Sequence, residues 1–275
     1  MKKIGFIDYY LSEWHANNYP AWINNACEKL GLDYKVCYAY GEIEVSPVDG
    51  VTGTEWCEKN GVEKCASIEE VCEKSDVLLV LCPSNPETHL GYAKKVLPYG
   101  KRTYIDKTFT ENLAQAEEIF ELAKKYNAPF FSTSALRYAS ELPLFDELKG
   151  KKVFTITGGG RSFEEYSVHQ IEMLVKLTNS KAEKVEVKNQ NGGKMRICTV
   201  YMENGDIGNL IYAPSYGFTV TGQDENGKSI TKNMSGDFFA CLIDDILGFY
   251  ETGVCSFESR QTLECMRIRE MLLKA

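Results

Sequence analysis

Apolar and polar positions follow one rhythm through the first half of the chain and another through the second. Lys2 to Asp8 (KKIGFID) is an apolar run of strand length, followed by a polar, aromatic loop. A helix is expected next, with Asn18 as its cap, Pro20 in its first turn, an apolar face of Trp22, Ile23, Ala26 and Leu30, and Gly31 as its stop. Tyr34 to Tyr40 reads as a second strand, and Gly41 to Gly61 as irregular chain with a short helix near Trp56. Ser67-x-x-Glu70 has the form of a capping box opening a helix through Cys72. Asp76 to Cys82 (DVLLVLC) is apolar throughout after its first residue, the pattern of a strand buried on both faces in a parallel sheet. Pro86 to Leu97 reads as a helix, Arg102 to Asp106 as a strand, Asn112 to Tyr126 as a long helix and Ala128 to Ser132 as a strand. Strand and helix alternating this regularly predict a doubly wound parallel sheet.

After about Tyr138 the rhythm changes. Lys151 to Thr157 is a strand and Glu165 to Thr178 a helix; four strand-like segments then follow with no helix between them, Ala182–Lys188, Lys194–Met202, Ile207–Ala213 and Tyr216–Gly222. Asn204-Gly205 and Glu225-Asn226-Gly227 are hairpin turn signals. Helices over Asp237–Glu251 and Phe257–Lys274 close the chain. The fold expected is α/β plus α+β: a Rossmann domain over residues 1–138, then a domain over 139–275 with a mostly antiparallel open sheet and the closing helices. Arg196–Tyr201 (RICTVY) and Gly208–Tyr212 (GNLIY) offer apolar residues to more than one face. One sheet face is therefore expected to be covered by another subunit, in a homodimer or homotetramer.

Charge and cysteine usage narrow the function classes. A formal charge of −8 over 275 residues gives no long-range attraction for phosphate backbones, which argues against nucleic acid as a partner. The longest apolar run, Val77 to Cys82, is far too short to span a bilayer, so no membrane partner is expected. The N-terminus enters a strand pattern without a signal-peptide core, which predicts a cytoplasmic protein. The 10 cysteines contain no Cys-x-x-Cys pair, and with only 3 histidines present they read as reduced, small hydrophobes and not as metal ligands.

Ligands of open α/β sheets bind beyond the carboxyl ends of the strands. Asp8, Pro83, Ser84 and Lys107 all fall at such ends, Lys107 directly after the apolar Tyr104 and Ile105. In the second half, His169 lies on a helix among Ile171, Met173, Leu174 and Leu177, with Glu165 four residues before it on the same face. A carboxylate beside an imidazole holds its tautomer and favours its charged form, which suits a base near neutral pH. Glu164 and Glu172 are alternative partners for the ring. Gly158-Gly159-Gly160-Arg161 is glycine-rich like a phosphate loop but lacks the Lys-Ser/Thr ending; it reads as a turn, with Arg161 and, at the domain junction, Arg137 as candidate substrate contacts.

Four segments carry a resemblance. DVLLVLCPSNPETH is similar to a family segment in which a buried strand ends in a Pro-containing loop with a His shortly after. YIDKTFTENLAQAEEIFELAKKYNAPFF resembles that family's Glu-Lys-Pro strand end, long helix and next strand, with Asp106-Lys107-Thr108 in place of Glu-Lys-Pro. GGRSFEEYSVHQIEMLVKLTN resembles its acid-and-His helix, and CSFESRQTLECMRIREMLLKA its closing helix. In this order they resemble the glucose–fructose oxidoreductase / inositol dehydrogenase / MocA (Gfo/Idh/MocA) family. The resemblance implies an enzyme moving a hydride between NAD or NADP and a sugar, polyol or related alcohol. It implies His169 as the base for the hydroxyl proton, Lys107 as donor to the same oxygen, and Glu165 as orienter of His169 or holder of a neighbouring hydroxyl, all converging on one cleft. It implies cofactor contacts at Asp8, Tyr9, Trp14, His15, Tyr40, Pro83, Ser84, Asn85, His89 and Asp106.

The chain departs from the family at the dinucleotide turn. No Gly-x-Gly-x-x-Gly follows the first strand; Gly5 is inside it, and Tyr9, Tyr10 and Leu11 occupy the turn, with Trp14-His15 similar to a looser turn of some members. The second strand ends Tyr38-Ala39-Tyr40-Gly41 without an acid for the ribose, Glu42 coming one step late. Two alternatives therefore stay open: a non-catalytic binding or sensing member, and a redox-neutral lyase or epimerase that keeps NAD bound.

Overall fold

A computed structural model describes all residues from Met1 to Ala275. The chain forms two compact units, one of residues 1–133 with 242–257 and one of 134–241 with 258–275.

The first unit runs β1 (Lys2–Asp8), α1 (Trp14–Leu30), β2 (Tyr34–Gly41), α2 (Gly53–Asn60), β3 (Glu63–Lys64), α3 (Ile68–Lys74), β4 (Val77–Val80), α4 (Pro86–Val96), β5 (Thr103–Ile105), α5 (Leu113–Tyr126) and β6 (Phe130–Phe131). Every strand pair is parallel and the order is β3-β2-β1-β4-β5-β6. This is the doubly wound order, and its direction reverses between β1 and β4, the crevice where such sheets hold ligands. All of β4 is buried, as its unbroken apolar run requires. Gly5 serves packing inside β1: a Cβ there would meet Val71 and Ser75 at 2.4 Å, so only glycine lets α3 lie this close.

Two expectations are corrected here. The helix after β1 starts at Trp14, one turn before the expected cap at Asn18, so Pro20 falls inside it. The carboxylate of Glu13 supplies the cap by accepting from His15 and Ala16 N–H, while the Asn18 side chain donates to the Trp14 carbonyl. The tail also divides differently from a single break after residue 138. From Leu242 onward, the helix expected in the second domain packs with the first unit. Its buried Leu242, Ile243, Ile246, Leu247, Phe249 and Tyr250 explain this, with the Tyr250 hydroxyl donating to the Leu78 carbonyl of β4 at 2.7 Å and Phe249 edge-on to Phe131.

The second unit holds β7 (Lys152–Gly158), α6 (Phe163–Thr178), β8 (Ala182–Gln190), β9 (Met195–Met202), β10 (Ile207–Tyr212), β11 (Thr219–Asp224) and β12 (Ser229–Asn233). The chain continues with α7 (Phe238–Thr252), which crosses into the first unit at Leu242, and ends with α8 (Arg260–Lys274) in the second. The sheet order is β12-β11-β7-β10-β9-β8, antiparallel except where β7 meets β10. The mostly antiparallel sheet is as expected; β12 was not, because its sequence SITKN is polar and edge strands need little apolar content. Alternate residues Phe154, Ile156, Cys198, Val200, Leu210 and Val220 join Ile171, Leu174 and Val175 of α6 and Ile268 and Leu272 of α8 in one core. The opposite sheet face is half-exposed and carries Val153, Ile197, Ile207 and Ile211 among threonines.

Candidate active site

In the first unit the strand ends form one connected polar network. Asp8, at the end of β1, accepts the N–H of Tyr9 (2.7 Å) and of Cys82 (3.1 Å) on Oδ1 and so ties β1 to β4. Its Oδ2 is buried with no hydrogen-bond partner. Burial, reinforced by the charge of Glu13, pushes the Asp8 carboxyl well above the usual carboxylate range. Cys82 takes a left-handed conformation (φ 53°) and turns the chain into the Pro83 loop. Lys107 follows β5 with a buried stem, and its Nζ donates to the Pro83 carbonyl at 3.2 Å.

Asp106 is the hub. Its carboxylate forms a buried ion pair with the His15 ring and accepts the Tyr104 hydroxyl (3.1 Å) and the Lys107 N–H (2.8 Å). Burial alone would raise the Asp106 carboxyl, but the charge of His15 and its hydrogen bond outweigh it and hold it below the ordinary value. The His15 ring stacks on Tyr19 at 5.3 Å.

The candidates are thus sorted. Asp8, His15, Pro83, Asp106 and Lys107 come together, with Tyr9 and Ser84 adjoining in sequence. His89 does not present a free edge: its Nδ1 lies 2.8 Å from the Phe109 carbonyl and its Nε2 2.8 Å from the Leu81 carbonyl, so the buried ring clamps two loops and is not placed as a cofactor ligand. Burial pulls its pKa down although both carbonyls favour the charged form. The Asn85 side chain turns to Glu87 (2.8 Å). Trp14 is exposed, its ring edge-on to Trp22. Tyr40 is half-buried at the end of β2, and Glu42 beyond it is held by the Tyr92 hydroxyl. Glu13 was missed, although an acid just ahead of a helix is a legible cap signal.

In the second unit, α6 is capped by Ser162, whose hydroxyl accepts from the Glu165 N–H. His169 Nδ1 lies 2.7 Å from the Ser134 hydroxyl, and its ring is edge-on to Tyr166 and Phe218. Ser134 Oγ also accepts the Leu136 N–H at 3.2 Å, which fixes it in place. The Glu165 carboxylate expected beside His169 accepts from Arg161 at 2.6 Å. Ser134, which sequence spacing could not reveal, is the partner found on the ring.

The two arginines read as substrate contacts are engaged within the unit. Arg161 pairs with Glu165, and Arg137 is buried in an ion pair with Glu172 while donating to Gln261 at 2.6 Å. Glu172, the other acid weighed for the ring, pairs with Arg137. The Gly158–Gly160 run is filled by neighbours: Cβ atoms there would meet Phe218 at 2.6 Å, the Ala213 carbonyl at 2.3 Å and the Tyr166 ring at 2.1 Å. These glycines permit close packing and leave no cradle for a phosphate.

The first unit thus has the architecture of dinucleotide-binding α/β proteins, and comparison with known proteins agrees. Residues 47–134 match the Gfo/Idh/MocA model, described as an oxidoreductase family with an NAD-binding Rossmann fold. A stretch of 59 residues is 42% identical to the uncharacterized oxidoreductase YhhX of Escherichia coli K12; it spans 22% of this chain and only 17% of that one. Solved structures match over almost the whole chain. The myo-inositol dehydrogenase of Lactobacillus casei, in complex with NAD(H) and myo-inositol, has a TM-score of 0.81 at 9% identity, covering 100% of this chain and 94% of its own. A dehydrogenase (MviM) of Clostridium difficile has a TM-score of 0.76 at 15% identity, covering 99% of both. The family resemblance read from the sequence is borne out over residues 47–134, and the fold is shared with these solved dehydrogenases.

The strand ends fit a nicotinamide dinucleotide in one respect and differ in another. The switch point between β1 and β4 is formed, and Asp8 keeps a buried, partnerless oxygen beside it, a group that needs a donor or a proton. The N–H groups that open α1, which hold the pyrophosphate in this fold, are bonded to Glu13.

Proposed function

We propose that the protein is an NAD(P)-dependent oxidoreductase acting on a hydroxylated small molecule of the sugar or polyol kind. The observation that carries this is Lys107: a buried lysine at a strand end of a Rossmann sheet whose ammonium is aimed by the Pro83 carbonyl. When bound, the nicotinamide supplies the hydride acceptor or donor.

Lys107 has three N–H donors, of which Pro83 takes one; the others serve a substrate oxygen and stabilise the negative charge it develops. His169, its ring steadied by Ser134 at Nδ1, takes the hydroxyl proton. Glu165, one turn before His169 and bound to Arg161, is the third member of the set. The half-exposed sheet face of the second unit, with Val153 44% and Ile197 37% exposed, suits a second copy of the chain, in a homodimer or homotetramer. No helix is long and apolar enough to cross a membrane, and 10 free cysteines suit a reducing compartment, so we place the protein in the cytoplasm.

The test has three parts. Thermal-shift titration with NAD, NADP and their reduced forms should raise the melting temperature, because a ligand of the native state alone stabilises it. Turnover across a panel of polyols should fall by about a hundredfold or more in Lys107→Ala and in His169→Ala, with melting unchanged. Light scattering should give at least a dimer mass. The second reading, a binding member without catalysis, is favoured by the Glu13 cap; it gains if the wild type binds a dinucleotide and turns over none of the polyols.

A further inference from the structure

The turn between β1 and α1 holds two carboxyl groups where this fold keeps glycines and a ligand's diphosphate. The first N–H groups of a helix carry unmatched partial positive charge and are a ready seat for an anion. In α1 that seat is filled from within: Glu13, 6% exposed, accepts the His15 N–H at 2.8 Å and the Ala16 N–H. The second observation is Asp8, 1% exposed, with Oδ2 buried and without a partner. Asp8 closes β1 and Glu13 caps α1, so the two acids bound the same turn. The groups facing Glu13 are Asp8 from the end of β1, His15 and Tyr19 from α1, and Asp106 after β5. Of these, His15 is already paired with Asp106.

We infer that Glu13 is an internal stand-in for phosphate. Its carboxylate occupies the anion seat of α1, and the diphosphate of a dinucleotide takes that seat only when Glu13 gives it up. Glu13 is then the residue that sets cofactor affinity. A carboxylate and a diphosphate are both anionic acceptors for the same N–H groups, so binding one excludes the other, and the buried Asp8 adds to the barrier whenever it is charged. The inference rests on the cofactor reading above and sharpens it: the chain binds its dinucleotide against an internal competitor that glycine-rich relatives of the fold lack.

The experiment is calorimetric titration of NADH, NADPH, ADP and adenosine into the full chain, the Glu13→Gln variant and the Glu13→Ser variant. Glutamine keeps the acceptor and removes the charge; serine is a favoured cap that also clears the space, so at least one variant retains the helix start. The expected result is a gain of about tenfold or more for NADH and ADP in both variants, about 1.4 kcal/mol, with adenosine unchanged because it has no phosphate. A wild-type chain that binds NADH as tightly as both variants overturns the inference while leaving the cofactor reading intact. An equal gain for adenosine overturns it too, since the substitution would then only have opened a hole. If none of the three proteins binds NADH, NADPH or ADP, the cofactor reading itself fails and the inference falls with it.

Discussion

Replacing Arg137 or Glu172 should separate a structural strut from a substrate contact. The two side chains are 4% and 3% exposed and form an ion pair in the second unit. Burial works against the Arg137 charge, but Glu172 outweighs it and raises the guanidinium's pKa above its ordinary value. Glu172→Gln removes the charged partner of a buried guanidinium, a loss of about 3–5 kcal/mol. For a chain of this size each kcal/mol moves the melting temperature by roughly 2–4 °C, so a drop of roughly 6–20 °C is expected. Arg137→Met strands the carboxylate in the same way and also gives up the bond to Gln261, about 0.5–1.5 kcal/mol. The double variant Arg137→Met/Glu172→Met removes both charges and should recover most of the loss, since apolar replacement of a buried pair is often neutral. Thermal melts of the four proteins form a double-mutant cycle, and turnover is read on the same samples. Losses in the double variant that equal the sum of the singles would refute the pair as a coupled unit. A folded, unshifted Arg137→Met protein that has lost turnover would return Arg137 to the substrate.

Three further outcomes are expected. Asp8 is held above its unfolded pKa, so its contribution to stability is full below the unfolded value, about 3.9, and is lost as pH rises through the folded value. Asp8→Asn should therefore gain on the wild type in melts run from pH 4 to pH 8, by up to about 1.4 kcal/mol for each step of one in pH, and a constant difference across that range would count against the assignment. Ser134→Ala should lower turnover up to about tenfold, the value of one hydrogen bond of about 0.5–1.5 kcal/mol, and displace the pH profile; Ser134→Thr should restore both, whereas an unmoved profile would leave Ser134 a packing residue only. Tyr250→Phe should cost about 0.5–1.5 kcal/mol through the lost bond to the Leu78 carbonyl, and an unchanged melt would argue against the return of residues 242–257 to the first sheet.

Local sequence carried the elements because their causes are local. The unbroken apolar run at β4, the serine cap of α3 and the asparagine cap of α5 are each properties of fewer than ten consecutive residues, and the switch from alternating strand and helix to a run of strands announced two sheets of different kinds. Lys107 and Asp8 were legible for the same reason: a strand that ends in a polar residue puts that residue at the carboxyl edge of the sheet.

What tertiary structure decided is which polar groups meet. His89 and His15 are equally plausible ligands in the sequence, yet one is spent between two carbonyls and the other on Asp106, 91 positions away. Ser134 holds a ring nitrogen of His169 because the 3-10 turn beginning at Ala135 packs against α6, a contact across 35 residues. The tail helix joins the first unit because burying six large side chains there removes more apolar surface from water than the order of the chain can foretell. A polar side chain's role depends on desolvation and on the charge beside it. Both are set by residues distant in sequence, so the pattern of the chain determined the sheets, and only the fold determined which acid faces which base.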